Sequence, residues 1–333
     1  MFYFFLRRLA VMVPTLLVIS ILIFVIIQLP PGDYLSTLIS ELQAQGEDVD
    51  QEKLNFLRQR YGLDRPVVEQ YALWMKGIFM YGDFGYSFEH NLPVVDVVGD
   101  QVFLSIIIAF TTILFTWIVS FPIGVYSATH QYSAADHTLT FIGFLGLATP
   151  NFLLALILMY LANVYFGISI GGLMEPRFLD QPWSWDKAVS IAEHLWVPVI
   201  VIGTAGTATL IRRLRANLLD ELQKPYVNTA RAKGLSETRL LLKYPMRVAL
   251  NPFIADIGNL LPQLLSSAAI VSVVLSLPTT GPLLLRALQS QDMYLAGFLL
   301  MCLSLLTVIG MFLSDLALAA LDPRIRLTGI RQK

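Results

Sequence analysis

The stretch VFLSIIIAFTTILFTWIVSFPIGVYSA, residues Val102–Ala128, decides the fold class of this chain. It holds 27 residues without a charged side chain, and a helix needs roughly 20 mostly apolar residues to cross a bilayer. The whole chain has 333 residues, of which 56% are hydrophobic and 14% are charged. Soluble domains carry about 25% charged residues. The stretch therefore predicts a transmembrane helix, and the composition indicates that much of the surface faces lipid.

Five further apolar runs predict an all-α polytopic membrane bundle of six transmembrane helices. In chain order the six runs are Leu9–Leu29, Val102–Ala128, Leu139–Asn163, Leu195–Ile211, Phe253–Leu277 and Ala296–Leu321. The first five each contain a proline, at positions 14, 122, 150, 198 and 262. Neighbouring helices in a bundle can satisfy the carbonyls that a proline frees, so we interpret these prolines as kinks within spans. The first run is too long for a signal-peptide core and lacks a small-residue cleavage site, which predicts an uncleaved span.

The lysines and arginines predict the orientation, because cytoplasmic segments carry an excess of them. With the N-terminus inside, the cytoplasmic segments hold 15 of these residues and the external segments hold 8. Both termini are therefore predicted to be cytoplasmic. The chain then divides into an N-terminal span (1–29), an external loop region (30–101), a core transmembrane domain (102–325) and a cytoplasmic tail (326–333). The core domain contains one long cytoplasmic loop at 212–252.

This loop is predicted to form two short helices that meet at a glycine. Pro225 can begin a helix over Tyr226–Lys233, because proline is tolerated in a first turn. Gly234 would end that helix, and Ser236 would cap a second one over Glu237–Val248. The residues just before the glycine are short and are surrounded by positive charge: Thr229, Ala230, Ala232, Arg231, Lys233, Arg239 and Lys243. Such a surface fits a docking element for a partner protein; the alternative is a solvated loop that serves only to orient the chain.

Short motifs spread along nearly the whole chain point to a family. The loop contains YVNTARAKGL (226–235). The other segments are LRRL (6–9) with LPPGD (29–33), RYGLDRP (60–66), YGDFGYSF (81–88), HLWVP (194–198) and LDPRIR (321–326). In this order they resemble the permease subunits of binding-protein-dependent ABC importers, in the dipeptide, oligopeptide and nickel branch. Asn228 stands where the wider superfamily often has glutamate, a departure that this branch commonly shows.

The resemblance implies a coupling role for the loop, which in that family sits in a cleft of a separate ATPase subunit. It assigns that role to Tyr226, Asn228, Thr229, Ala230, Arg231, Ala232, Lys233, Gly234 and Leu235. It also implies a bacterial inner membrane location and three kinds of partner. These are a second homologous permease, two ATP-binding subunits that hold ATP and magnesium, and an external solute-binding protein.

The sequence carries no motif for catalysis. None of its seven lysines is followed by serine or threonine, whereas a phosphate-binding loop ends in Gly-Lys-Ser/Thr. We therefore expect no ATP hydrolysis, no cofactor and no metal held by this chain, and energy must come from a partner or a gradient. The net charge of -1 excludes a basic nucleic-acid surface. The single Cys302 provides neither a disulfide nor a thiol metal site.

Asp256 and Asp315 are the only acids inside the apolar runs. This disfavours a gradient-driven carrier, which needs a relay of mid-span ionisable groups. A membrane scaffold or receptor with a docking loop stays open as a third function.

Polar residues within the apolar runs are the candidates for the substrate pathway. Asn259, Gln263, Ser266 and Ser267 share one face of the fifth run, and Asn151 follows Pro150 in the third. The amides are the strongest candidates, because an amide that faces lipid is costly. Peptide permeases of the resembling branch often carry a glutamate where this chain has Ser272. That departure leaves peptides, oligosaccharides and other small solutes open.

Overall fold

The computed structural model describes residues 2–29, 65–167, 170–179 and 181–321. In chain order the helices of these ranges are α1 (Phe2–Gln28), α2 (Val67–Lys76), α3 (Val94–Val98), α4 (Gln101–Thr129), α5 (Ala134–Ala148), α6 (Asn151–Phe166), α7 (Trp185–Leu222), α8 (Pro225–Ala232), α9 (Glu237–Lys243), α10 (Pro245–Ala249), α11 (Asn251–Val274), α12 (Thr280–Gln289) and α13 (Met293–Leu321). Two short antiparallel strands, β1 (Tyr86–Ser87) and β2 (Leu92–Pro93), lie between α2 and α3. The predicted tail 326–333 lies outside the described residues.

The predicted all-α class is confirmed. Within the described ranges, four helices are long and apolar enough to cross a membrane: α1, α4, α7 and α13. The α5–α6 pair adds a fifth span if its two helices, which are bent by 99° at the break between them, are counted as one. The predicted fifth run corresponds to α11, which has 24 residues. The predicted fourth run grows to the 38 residues of α7, because helical structure continues beyond the apolar core at both ends.

The prediction that Pro150 only kinks one span is wrong. Helix α5 ends at Ala148, Thr149 is extended with φ -84° and ψ 119°, and Pro150 occupies the N-cap position of α6. A proline disfavours the helical conformation of the residue before it, so the chain turns at Thr149 and starts a new helix. In contrast, Pro14, Pro122 and Pro198 lie inside continuous helices.

The chain forms two compact units. The first is built mainly from the described parts of Phe103–Thr279 and includes residues 309–321. At its centre α7 packs against α5, α6, α10 and α11. Small residues permit close helix contacts: a Cβ atom at Gly146 of α5 would lie 2.4 Å from Cγ2 of Thr204 on α7. Close packing over small residues is typical of helix pairs in membranes.

The second unit comprises the described parts of Leu6–Val102 together with Thr280–Val308. Within it α2 packs on the end of α1, where Phe24 stacks on Trp74 at 5.7 Å between ring centroids. The buried Asp292 carboxylate accepts a hydrogen bond from Ser87 Oγ at 2.5 Å and from the backbone N–H of Leu295 at 3.3 Å. Burial raises the pKa of Asp292 above its usual value.

Candidate functional site

The predicted glycine-broken helix pair is present as α8, Gly234 and α9, which we call the elbow (residues 225–243). Pro225 occupies the first turn of α8, where its missing N–H costs nothing. Gly234 adopts φ +77°. Its N–H donates to Arg231 O at 3.0 Å, and the N–H of Leu235 donates to Ala230 O at 3.4 Å. These two bonds form the Schellman motif that ends helices at a left-handed glycine.

The elbow has a small apolar core of its own. Val227 and Ala230 of α8 are buried against Leu240 of α9, with Leu235 and Tyr244 packed around them. Ala230 is only 5% exposed. Its side chain therefore packs in the elbow core and is not available to a partner. The small residues on the outer face are Thr229 and Ala232.

The outer face holds most of the predicted coupling residues. The exposed ones are Tyr226, Asn228, Thr229, Arg231, Ala232, Lys233 and Gly234. A Cβ atom at Gly234 would meet nothing within 4 Å. The face is therefore polar, basic and open, and the elbow core holds its residues in fixed positions.

Two details of the predicted second helix are wrong. It ends at Lys243 and does not reach Val248, because Tyr244, at φ -118° and ψ -79°, separates it from α10, which begins at Pro245. The residue before a proline is disfavoured in a helix. Ser236 does occupy the N-cap position of α9, but its side chain accepts no capping hydrogen bond.

An ion pair stabilises the bend of the elbow, and a hydrogen bond links its first turn to α7. Arg231 Nε lies 2.6 Å from Glu237 Oε1, and Nη2 lies 3.0 Å from Oε2, so the guanidinium bridges α8 and α9 in a bidentate pair. Hydrogen bonding to Arg231 lowers the pKa of Glu237, and the reciprocal bond raises the pKa of Arg231. Tyr226 Oη donates a hydrogen bond to Glu221 of α7. Burial and that carboxylate raise the pKa of Tyr226.

A second ion pair fixes α7 where it approaches the elbow. Arg215 Nη2 lies 2.9 Å from Asp136 Oδ2, and Arg215 Nε lies 3.2 Å from Oδ1. The Asp136 side chain is 3% exposed and that of Arg215 is 27% exposed. Asp136 also accepts from the N–H of Tyr132, and Ser133 caps α5 through the N–H of Asp136. The pair therefore joins α7 to the first turn of α5.

The helices of the first unit line an open cavity of about 310 Å³. It is lined by Ile113, Thr116 and Trp117 of α4, Leu147 of α5, Asn151 of α6, Ile202, Ala205, Gly206, Thr209, Leu210 and Arg213 of α7, and Asp256, Leu260, Gln263 and Leu264 of α11. The predicted pathway residues Asn151 and Gln263 thus line the same cavity, although 112 positions separate them. The side chains of Asn259, Ser266 and Ser267 lie outside the described residues.

Sequence reasoning missed Trp117, Arg213 and Asp256 as cavity residues. Arg213 Nη1 lies 2.8 Å from Asp256 Oδ2. An acid inside an apolar run was a signal for Asp256. Its partner lies 43 positions earlier, and nothing in the local sequence of Arg213 indicates the pairing.

Comparison with known proteins identifies the family. Residues 120–327 match the family described as binding-protein-dependent transport system inner membrane component, and residues 1–109 match its N-terminal companion family. The chain belongs to this family. It is therefore a permease subunit of a transport system, a multi-pass bacterial inner-membrane protein and not an enzyme.

Relatives of this permease match it from end to end. The oligopeptide transport system permease protein AppB of Bacillus subtilis is 32% identical over 97% of this chain and 98% of its own length. The dipeptide transport system permease protein DppB of Escherichia coli K12 is 29% identical over 98% of this chain and 99% of its own length. The peptidoglycan transport system permease protein YejB of Agrobacterium fabrum is 28% identical, with 97% of each chain covered.

Proposed function

We propose that this permease is one membrane half of an ATP-driven importer that carries peptides delivered by an external solute-binding protein. The relatives named for oligopeptide and dipeptide transport support that substrate class. The other half is a second homologous permease. Two separate ATP-binding subunits hold ATP and magnesium and dock on the cytoplasmic side.

The proposed topology has six spans with both termini in the cytoplasm. Five of the spans are α1, α4, the bent α5–α6 pair, α7 and α13. The sixth is α11, which we add because it covers most of the apolar run Phe253–Leu277. The excess of lysine and arginine in the segments around the elbow supports this orientation. The division into 1–29, 30–101, 102–325 and 326–333 follows from the same topology, with the loop 212–252 on the ATPase side.

The observation that carries the proposal is the construction of the elbow. A loop that served only to orient the chain would need a few basic residues. The elbow instead has a left-handed glycine, an apolar core and a bidentate ion pair. It follows α7 directly, and Tyr226 bonds to the last turn of that helix. Closure of the ATPase pair would move the elbow and α7 together and convert the permease pair between inward-open and outward-open forms.

The cavity supports a solute with peptide-like polarity. Asn151 and Gln263 each offer an amide donor and an amide acceptor, and Thr209 adds a hydroxyl. These groups complement the N–H and C=O groups of a peptide backbone without selecting a side chain. An oligosaccharide presents hydroxyls to the same groups, so it is the second candidate substrate within the same machinery.

Reconstitution of the complete assembly tests this function. The permease pair, the two ATPases and the co-encoded receptor are placed in liposomes with ATP on the ATPase side, and uptake of a labelled dipeptide is followed. We expect uptake that needs both ATP and receptor. An excess of unlabelled dipeptide should compete, and an excess of maltotriose should not.

Two outcomes would contradict the proposal. Uptake by this chain alone, driven by an ion gradient without ATP, would make it a secondary transporter. Absence of dipeptide uptake, together with ATP- and receptor-dependent uptake of labelled maltotriose, would assign the machinery to oligosaccharides. Gentle copurification from native membranes provides an independent check, because an importer subunit should bring ATPase chains with it.

A further inference from the structure

An ion pair between two helices lies at one end of the cavity. Arg213 of α7 and Asp256 of α11 both line it and approach to 2.8 Å. Among the lining residues that the structure describes, they are the only charged ones. The guanidinium of Arg213 also lies 5.8 Å from the ring centroid of Phe253, one turn before Asp256.

The pair lies at the end of the cavity nearest the elbow. Along α7 the lining residues run from Ile202 to Arg213, about 17 Å at 1.5 Å per residue. Along α11 they run from Asp256 to Leu264, about 12 Å by the same rise. Because α7 leads into the elbow and α11 follows it along the chain, Arg213 and Asp256 are the lining residues closest in sequence to the elbow on both helices.

Separate contacts hold the two helix segments that carry the pair. On α11, the carbonyls of Ile254 and Ala255 accept hydrogen bonds from Ser314 Oγ of α13 at 2.6 and 2.9 Å. On α7, Arg215 is bound to Asp136 of α5. The ion pair is therefore a contact between two anchored segments, and the loop that joins them contains the elbow. Movement of the elbow that tilts α7 relative to α11 must lengthen or shorten this contact.

The exposure of the pair suits a contact that opens and closes. The Arg213 side chain is 43% exposed and that of Asp256 is 28% exposed. A solvated pair separates readily because water replaces the lost partner. The Arg215–Asp136 pair has an almost fully buried carboxylate, and separating it would leave a buried charge without compensation. The two ion pairs near the elbow therefore suit different roles. The Arg215–Asp136 pair suits a permanent link between helices, and the Arg213–Asp256 pair suits a contact that opens and closes.

We propose that Arg213 and Asp256 form an ionic gate at the elbow-side mouth of the solute pathway. The pair is closed when ATP holds the elbow in its transport-competent position, and it parts to release solute towards the cytoplasm. This inference rests on the proposed import function. It adds two positioning residues to the pathway, which act on the solute by closing its exit.

Charge variants in the reconstituted assembly test the gate. Arg213→Gln and Asp256→Asn should each lower receptor-stimulated uptake and ATP hydrolysis together by about fivefold, the upper range for a solvated pair. The double variant Arg213→Asp/Asp256→Arg should restore most of both rates. Arg177→Gln removes an exposed pair with Glu175 outside the cavity and should change neither rate. Unchanged rates in both single variants, or no restoration in the double variant, would overturn the gate.

Reversible cross-linking tests whether the contact between positions 213 and 256 must open during transport or stays closed throughout. Cys302 is the only cysteine, so Cys302→Ala provides a background for Arg213→Cys/Asp256→Cys. This variant lacks the ion pair and starts from lowered uptake. A short bifunctional thiosulfonate should stop the uptake that remains, and reduction should restore it to the level before cross-linking; a monofunctional reagent should not block it to the same extent. Undiminished uptake by cross-linked protein would overturn the gate. Absence of receptor- and ATP-dependent uptake in the wild-type assembly would instead overturn the import function itself.

Discussion

Gly234→Ala is the sharpest test of the coupling role of the elbow. Gly234 has φ +77°, and a Cβ atom there would meet nothing within 4 Å. The cost is therefore one of backbone conformation alone, about 1–2 kcal/mol for a non-glycine residue in the left-handed region. That free energy corresponds to a factor of about 5–30 in the population of the bent elbow. Gly234→Asn should cost less, because asparagine tolerates this conformation better.

Hydrogen exchange measures this shift directly, because amide protection follows the free energy of local opening. We expect segment 225–243 of Gly234→Ala to lose protection by about 5–30-fold, in line with the strain, with Gly234→Asn in between. In the reconstituted assembly the number of peptides imported per ATP should fall in the same order, because a melted elbow cannot transmit ATPase closure. The chain should still insert, since the spans are untouched.

Gly167→Ala is the matched control. Gly167 has φ +64° and also meets nothing within 4 Å, but it ends α6 and lies outside the elbow. Its substitution carries the same backbone strain at a different place. Equal loss of coupling in Gly167→Ala and Gly234→Ala would refute a special role for the elbow. Unchanged exchange in Gly234→Ala would refute the strain argument.

Three further variants test the supports around the site. Ala230→Glu places a carboxylate in the elbow core and should make residues 225–243 sensitive to protease, because an unpaired charge is costly to bury. Ala232→Glu on the outer face should not have this effect. Equal protease sensitivity of the two variants would contradict the burial of Ala230. Arg215→Gln leaves the buried Asp136 carboxylate without its charge partner and should cost about 3 kcal/mol, seen as a lower unfolding temperature in detergent. Glu175→Gln in an exposed pair should cost under about 1 kcal/mol. Asp292→Asn tests the raised pKa of that carboxyl. Because the folded pKa lies above the unfolded value of 3.8, its contribution is fully present below pH 3.8 and declines as pH rises through the folded pKa. The unfolding temperature of wild type minus that of Asp292→Asn should therefore shrink as pH rises, and a constant or growing difference would contradict the shift.

Local chemistry made the spans and the elbow predictable from the sequence. A bilayer requires about 20 apolar residues per span whatever the neighbours are, so a run such as Val102–Ala128 indicates a membrane helix by itself. Pro225 and Gly234 likewise act through their own backbone preferences, and the structure places both at the ends of α8. Pro150 shows the limit of such rules. The same residue type lies inside the continuous helices α4 and α7 but stands at the break between α5 and α6, so a proline alone does not fix where a helix ends.

The sequence by itself determined the all-α membrane class, the family and the position of the glycine-broken helix pair that forms the elbow. Only the tertiary structure decided that Asn151 and Gln263 share a cavity, that Ala230 faces inward, and that Arg213 meets Asp256. The reason is that the spans are surrounded by lipid and not by water. In water an apolar stripe marks the buried face of a helix, but lipid is as apolar as a protein core. Hydrophobic periodicity then cannot distinguish a lipid-facing side from a packed one, and contacts between distant residues are set by how the helices assemble.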